Sequence, residues 1–159
     1  MSATANPKFM QMAIELAVKG VQAGDGGPFG AIVVKDGMVV GQGNNHVTST
    51  NDPTAHAEVM AIRDACRNLG TFQLTGCELY TSCEPCPMCL GAIYWARLDR
   101  VYYSANKHTA SYHGFDDGMI YEEIALPYEH RRIPFIPLIP EAGIVPFREW
   151  DRKSERIDY

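Results

Sequence analysis

The chain has 159 residues, 46% of them apolar and 21% charged, with 14 basic against 19 acidic side chains and a net charge of −5. That length holds one domain with a single core, the acidic balance argues against a broad phosphate-binding footprint, and no apolar run approaches a membrane span. The Met-Ser-Ala-Thr start lacks a signal-peptide core, and five cysteines, an odd number, suit a reducing compartment; a cytoplasmic protein with a small-molecule substrate is expected.

Asn6-Pro7 reads as an N-cap followed by proline at the first helical position. Phe9, Met10, Ala13, Ile14, Leu16 and Ala17 then recur at helical spacing until Gly20 and Gly24. Asp25 to Gly30 is a glycine-rich loop, and Asp36-Gly37 is a hairpin turn between strands Ala31–Lys35 and Met38–Gly41. In the polar stretch Gly43 to Asp52, Asn44 and Asn45 are either turn residues or polar groups of a site, and His46 is a satisfied loop histidine. Glu58 to Leu69 forms a helix closed by Gly70, with Val59, Ile62, Ala65, Cys66 and Leu69 facing the core.

A strand over Glu78–Ser82, a helix from Cys86 to about Ala96 and a strand over Arg100–Ser104 predict a parallel, right-handed crossover. Trp95 packs in the core or turns its ring toward a pocket. Ser111 to Phe115 reads as loop, and Met119 to Leu126 as a short helix stopped by Pro127, with Asp116 and Asp117 placed to cap it. Ile133 to Pro140 is apolar but contains three prolines, so it is an edge strand at most. Pro146 to Ile157 predicts an amphipathic helix with Phe147 and Trp150 on one side, and Tyr159 follows at the terminus, where residues usually fray.

Two short stretches carry chemistry. His56-Ala57-Glu58 offers an imidazole and a carboxylate two residues apart; Pro85-Cys86-Pro87-Met88-Cys89 offers two thiols three apart at a helix start, where the positive terminus favours thiolate. Zinc takes four ligands and leaves one position open in catalytic sites. His56, Cys86 and Cys89 supply three, so the fourth is left for water, whose pKa the metal lowers to about 7. Glu58 has no place in a closed site, but beside that water it can move protons. His56 must sit at an irregular helix start after Pro53-Thr54, since side chains two apart on a regular helix diverge. A closed structural knot would need Cys83 as fourth ligand; Cys83 instead ends the preceding strand. An H-x-E about thirty residues before a P-C-x-x-C is the combination that zinc nucleobase deaminases use, the glutamate serving as acid and base.

Through Asn51–Glu58 and Thr81–Ala92 the chain resembles the cytidine-deaminase-like superfamily, in its purine and tRNA-adenosine branches. Gly114-Phe115-Asp116-Asp117 and the closing Ile157-Asp158-Tyr159 are more similar to bacterial guanine deaminases, over nearly the whole length. The resemblance implies a three-layer α/β/α fold around a mixed five-stranded sheet. It implies zinc-dependent hydrolysis of guanine to xanthine and ammonia, with one Zn2+ per subunit. It puts Phe29 against the flat base, Asn45 along the purine edge and Asp117 opposite the N–H donors of guanine, where a carboxylate acceptor rejects the wrong base. The N–H of Ala57 helps hold the reacting centre. The resemblance further implies a homodimer in which a single domain, residues 1–159, exchanges its C-terminal segment from about residue 130, laying Tyr159 over the partner's pocket. Two alternatives share the motifs: a tRNA-adenosine or cytosine deaminase with the same zinc chemistry, and a non-catalytic zinc-containing binding module with four protein ligands.

Overall fold

The computed structural model describes residues 5–159. The chain divides into two compact units, the first ending at Gly118 and the second running from Met119 to Tyr159.

In the first unit, α1 (Pro7–Ala23) starts as expected: the Asn6 side chain accepts from the Lys8 N–H, and proline stands at the first helical position. Strands β1 (Gly30–Lys35) and β2 (Met38–Asn44) pair antiparallel around Asp36-Gly37, both residues at positive φ. One helical turn, α2 (Val47–Thr50), interrupts the polar stretch, and α3 (Ala57–Leu69) follows, ending at Gly70. Then come β3 (Cys77–Cys83), α4 (Pro87–Trp95), β4 (Arg100–Ala105) and α5 (Lys107–Tyr112). The sheet order is β2-β1-β3-β4, with β1 antiparallel to β2 and β3, and β3 parallel to β4.

The period-two alternation of β1 builds two cores. Ala31 and Val33 face a layer that includes Ala57, Ala61 and Ala65 of α3 and Ile93 of α4. Ile32 and Val34, with Tyr80 of β3, face Phe9, Met10 and Leu16 of α1. Three layers result, helix–sheet–helix. Burying a side chain such as Ile32 or Leu79 contributes roughly 1.5–3 kcal/mol each.

Helix α3 turns the expected side to the sheet, with Ala65 buried and Ile62, Cys66 and Leu69 packed half-buried against the core, but its deepest positions are all alanine: Ala57, Ala61 and Ala65. The cause lies in β2. A Cβ on Gly41 would come within 2.5 Å of the Ala65 backbone N, and one on Gly43 within 2.6 Å of the Ala61 N. The helix therefore rests on bare strand backbone, and only alanine fits between.

Three expectations are corrected. Among the described residues the sheet has four strands, not the five that the resemblance implied, and Ile133 to Pro140, an edge strand at most, forms no ladder, its prolines lacking N–H donors. Ser111 and Tyr112 belong to α5, which Asn106 caps by accepting from the N–H and hydroxyl of Thr109. Trp95 is not core but 65% exposed. Helix α4 is apolar all round, so no stripe marked its inner face; Cys89 and Ile93 took it, and Trp95, two residues past Ile93, diverges from them.

The second unit holds most of α6 (Gly118–Ala125), a 3-10 turn at Tyr128–His130 and α7 (Val145–Arg152), which is shorter than expected. Tyr128 stacks on Phe135 at 5.6 Å, and the Arg131 guanidinium lies over both rings. Ile133, Ile136, Leu138 and Phe147 are exposed. No helix among the described residues is long and apolar enough to cross a membrane.

Candidate active site

Two helix starts meet at the candidate site. His56 is the N-cap of α3, with extended backbone (φ −73°, ψ 153°). That is the irregular start which the His-x-Glu spacing requires: the cap residue leaves the helix, and Glu58, already inside it, turns back toward the imidazole. The preceding turn is held by Asp52, whose Oδ1 accepts from the Thr54 N–H at 2.8 Å and from its hydroxyl at 2.7 Å. On the other side, β3 ends at Cys83 and Cys86 is the N-cap of α4, with Pro87 rather than Pro85 at the first helical position. Cys86 and Cys89 thus stand at N-cap and N3, side chains that adjoin as in a capping box. Both helices aim positive termini at the thiols.

His56 Nδ1 is 3.5 Å from Cys86 Sγ and 3.5 Å from Cys89 Sγ. Ligands bound at zinc distances around one tetrahedral centre would be separated by about 3.6 Å, and the donor atoms of the three residues all lie within 4.8 Å of one another. The electrostatics ask for a cation. The Cys89 thiol beside Cys86, with His56, holds the Cys86 thiol well below its ordinary range. Cys89 is pushed up, first by Cys86 and then by burial. His56 is raised, first by its hydrogen bond with Cys86. One thiolate is thus stabilised by its neighbours, and the second keeps its proton until a cation arrives. Two soft sulfurs and an imidazole suit zinc.

Glu58 is buried, 6% exposed. Its Oε2 accepts from Cys89 Sγ at 3.4 Å, and desolvation above all raises its pKa over the usual carboxylate range. Cys83 stays outside the donor group: its thiol donates to the Asn106 carbonyl at 3.8 Å, and burial pushes it up to about 11. Ala57, fully buried, is the first residue of α3, so its N–H is one that the helix cannot satisfy internally.

The other residues singled out in the sequence are placed as follows. Asn45 is buried, and its Oδ1 accepts from the N–H groups of Gly27 (3.2 Å) and Val47 (3.1 Å), leaving Nδ2 to donate elsewhere. Its own N–H donates to the Phe29 carbonyl at 3.1 Å, tying the two residues together. Asp117 is half-buried and raised by burial and then by Cys86, so its carboxylate feels the cysteine turn. Asp116 accepts from the Gly118 N–H at 2.9 Å. His46 is satisfied by Ser49, 3.2 Å away. Tyr159 lies in the second unit, 72% exposed. Sequence reasoning missed Glu84, whose Oε2 accepts from the Lys107 N–H at 3.0 Å and so fixes the start of α5 beside the cysteine turn. Only its place inside the motif could have drawn attention to it.

Residues 3–105 match the model of the cytidine and deoxycytidylate deaminase zinc-binding region. The chain belongs to that family. This deaminase is 54% identical to a guanine deaminase of Bacillus subtilis over 151 residues, 95% of this chain and 97% of that one. The X-ray structure of the guanine deaminase from Bacillus subtilis superposes with a TM-score of 0.95 at 52% identity, covering 98% and 99% of the two chains. A guanine deaminase from Nitrosomonas europaea is more distant, with a TM-score of 0.68 at 34% identity over 74% of this chain and 68% of that one. A tRNA-specific adenosine deaminase of Aquifex aeolicus is 44% identical over 97 residues, 61% of this deaminase and 64% of that one.

Proposed function

We propose that this zinc deaminase hydrolyses guanine to xanthine and ammonia. The observation that carries the reading is the buried Glu58 carboxylate at 3.4 Å from a thiol of the three-donor group, a proton carrier beside a set of three metal donors. Full-length similarity to a guanine deaminase supports the base.

Zinc, when bound, supplies a Lewis acid that lowers the pKa of water at its open position to about 7. The chain's own residues then do the following. Glu58 takes a proton from the attacking water and delivers it to a ring nitrogen next to the amine-bearing carbon. It then takes the remaining hydroxyl proton of the adduct and donates it to the departing amine, so that the C–N bond breaks, the carbonyl forms and ammonia leaves. Burial that raises its pKa makes it competent for both transfers. The Ala57 N–H helps hold the reacting centre. Phe29 packs on the base, and Asn45 donates from Nδ2, since its Oδ1 is already engaged by two backbone N–H groups. Asp117 accepts from the N–H groups of guanine. Trp95, exposed on its own chain, borders the pocket.

A homodimer with exchanged C-terminal segments is part of the same reading. The first unit has an apolar groove of about 640 Å³ lined by Ile14, Val18, Val21, Phe29, Ala110 and Phe115. The second unit exposes Ile133, Ile136, Leu138 and Phe147, and ends in Tyr159. Burying the one set on the other across two copies would bring Tyr159 to the partner's pocket. Five free thiols suit a reducing cytoplasm. An ammonia-release screen over guanine, guanosine, adenine, cytosine and aminotriazines tests the assignment: guanine is turned over fastest, and preference for adenine or cytosine refutes it.

A further inference from the structure

Two walls of the proposed pocket arise from distant stretches, the loop bearing Phe29 with Asn45 and the turn bearing Asp117. They meet at one contact. The Phe115 ring stands edge-on to Phe29, centroids 5.0 Å apart and planes at 89°. Gly27 lies against both rings: a Cβ there would sit 3.1 Å from Phe115 Cε1 and 3.1 Å from Phe29 Cε2. The same Gly27 donates its N–H to Asn45. On the other side, the Phe115 N–H donates to the Ala110 carbonyl at 2.9 Å, so the ring is fastened to the end of α5. The start of α5 is held by Glu84 at the cysteine turn. Asp117 follows Phe115 by two residues.

We propose that Phe115 is a positioning residue that registers the Asp117 turn against the Phe29–Asn45 loop and thereby sets the enzyme's discrimination for guanine. This rests on the assignment of Phe29, Asn45 and Asp117 to the base. An edge-to-face pair contributes a preference beyond its buried area, enough for a loss of several-fold to tenfold when it is removed. The ring itself is 43% exposed, so its removal spares the core.

The test compares Phe115→Ala, Phe115→Tyr, Phe29→Ala, Asp117→Asn and the double variant Phe29→Ala/Phe115→Ala as zinc-loaded full-length protein. Phe115→Ala is expected to keep its zinc and raise KM for guanine about five- to tenfold with a smaller fall in kcat. It should also narrow the gap between KM for guanine and the inhibition constant of a purine that lacks the 2-amino group and so binds without reacting, and Phe115→Tyr should restore both. In the Phe29→Ala background, Phe115→Ala should add less than about twofold. Equal losses with and without Phe29, or an unchanged KM in Phe115→Ala while Asp117→Asn and Phe29→Ala are impaired, overturn the latch and leave the pocket assignment standing. Unimpaired Asp117→Asn and Phe29→Ala overturn the pocket assignment, and the latch with it.

Discussion

Glu58 Oε2 lies 3.4 Å from Cys89 Sγ, so the proton carrier and a metal donor are in hydrogen-bond contact across two separate helix starts. Everything chemical in this fold follows from holding α3 and α4 at that separation. The sheet does so through β2, on whose glycines α3 rests, and through β3, which ends one turn before α4.

That packing is directly testable. Gly43→Ala would put a methyl group 2.6 Å from the Ala61 N and 2.6 Å from the Met60 Cβ, forcing α3 off the strand. Overpacking of this kind costs about 1–3 kcal/mol. Denaturant unfolding should show that loss. Zinc affinity should fall with it, because His56 travels with the helix.

Metal binding should release protons. Cys86 sits well below and Cys89 above the ordinary thiol range, and His56 is raised. At pH 7 the metal displaces the Cys89 proton and a fraction of the His56 proton, so about one to two protons should leave per zinc. The sign follows: affinity rises with pH and falls as acid returns those protons. Calorimetry in buffers of different ionisation enthalpy measures the count; release of none would contradict the donor assignment.

Asn45 separates two jobs in one side chain. Its Oδ1 supports the loop through Gly27 and Val47, and its Nδ2 is left for substrate. Asn45→Asp keeps an oxygen to accept from the Gly27 and Val47 N–H groups and loses the donor. It should fold with near-normal stability while kcat/KM for guanine drops by about tenfold or more, whereas Asn45→Ala should lose stability as well. Comparing melting temperature with steady-state kinetics for the two variants distinguishes them.

The exchanged C-terminus predicts complementation. A chain lacking Ile157-Asp158-Tyr159 should bind zinc normally and turn over slowly. Mixed and refolded with full-length Glu58→Gln, it should regain activity, because each intact zinc site then receives the partner's Tyr159. Turnover equal to the untruncated protein's, or no recovery on mixing, would place Tyr159 outside the partner's site.

Much of this was legible in the residues. Asn6-Pro7, Asp36-Gly37 and the β3–α4–β4 crossover were readable because capping, turn and parallel-pairing rules are local. The ligand trio was readable because its spacing fixes residues at two helix starts. What escaped depended on long-range packing. The alanine stripe of α3 is set by glycines on another strand, and the exposure of Trp95 by which side of an all-apolar helix met the sheet. Ile133 to Pro140, readable as an edge strand at most because of its prolines, forms no strand. Helix α5 lacks an apolar period and is held instead by Asn106 and Glu84.

The most direct measurement is turnover and zinc content on one preparation of Glu58→Gln. With its buried carboxylate replaced by an amide that cannot carry protons, the variant should hold one zinc per chain while ammonia release from guanine falls by about a hundredfold or more. Near-normal release with zinc in place would remove Glu58 from the chemistry, and the account with it.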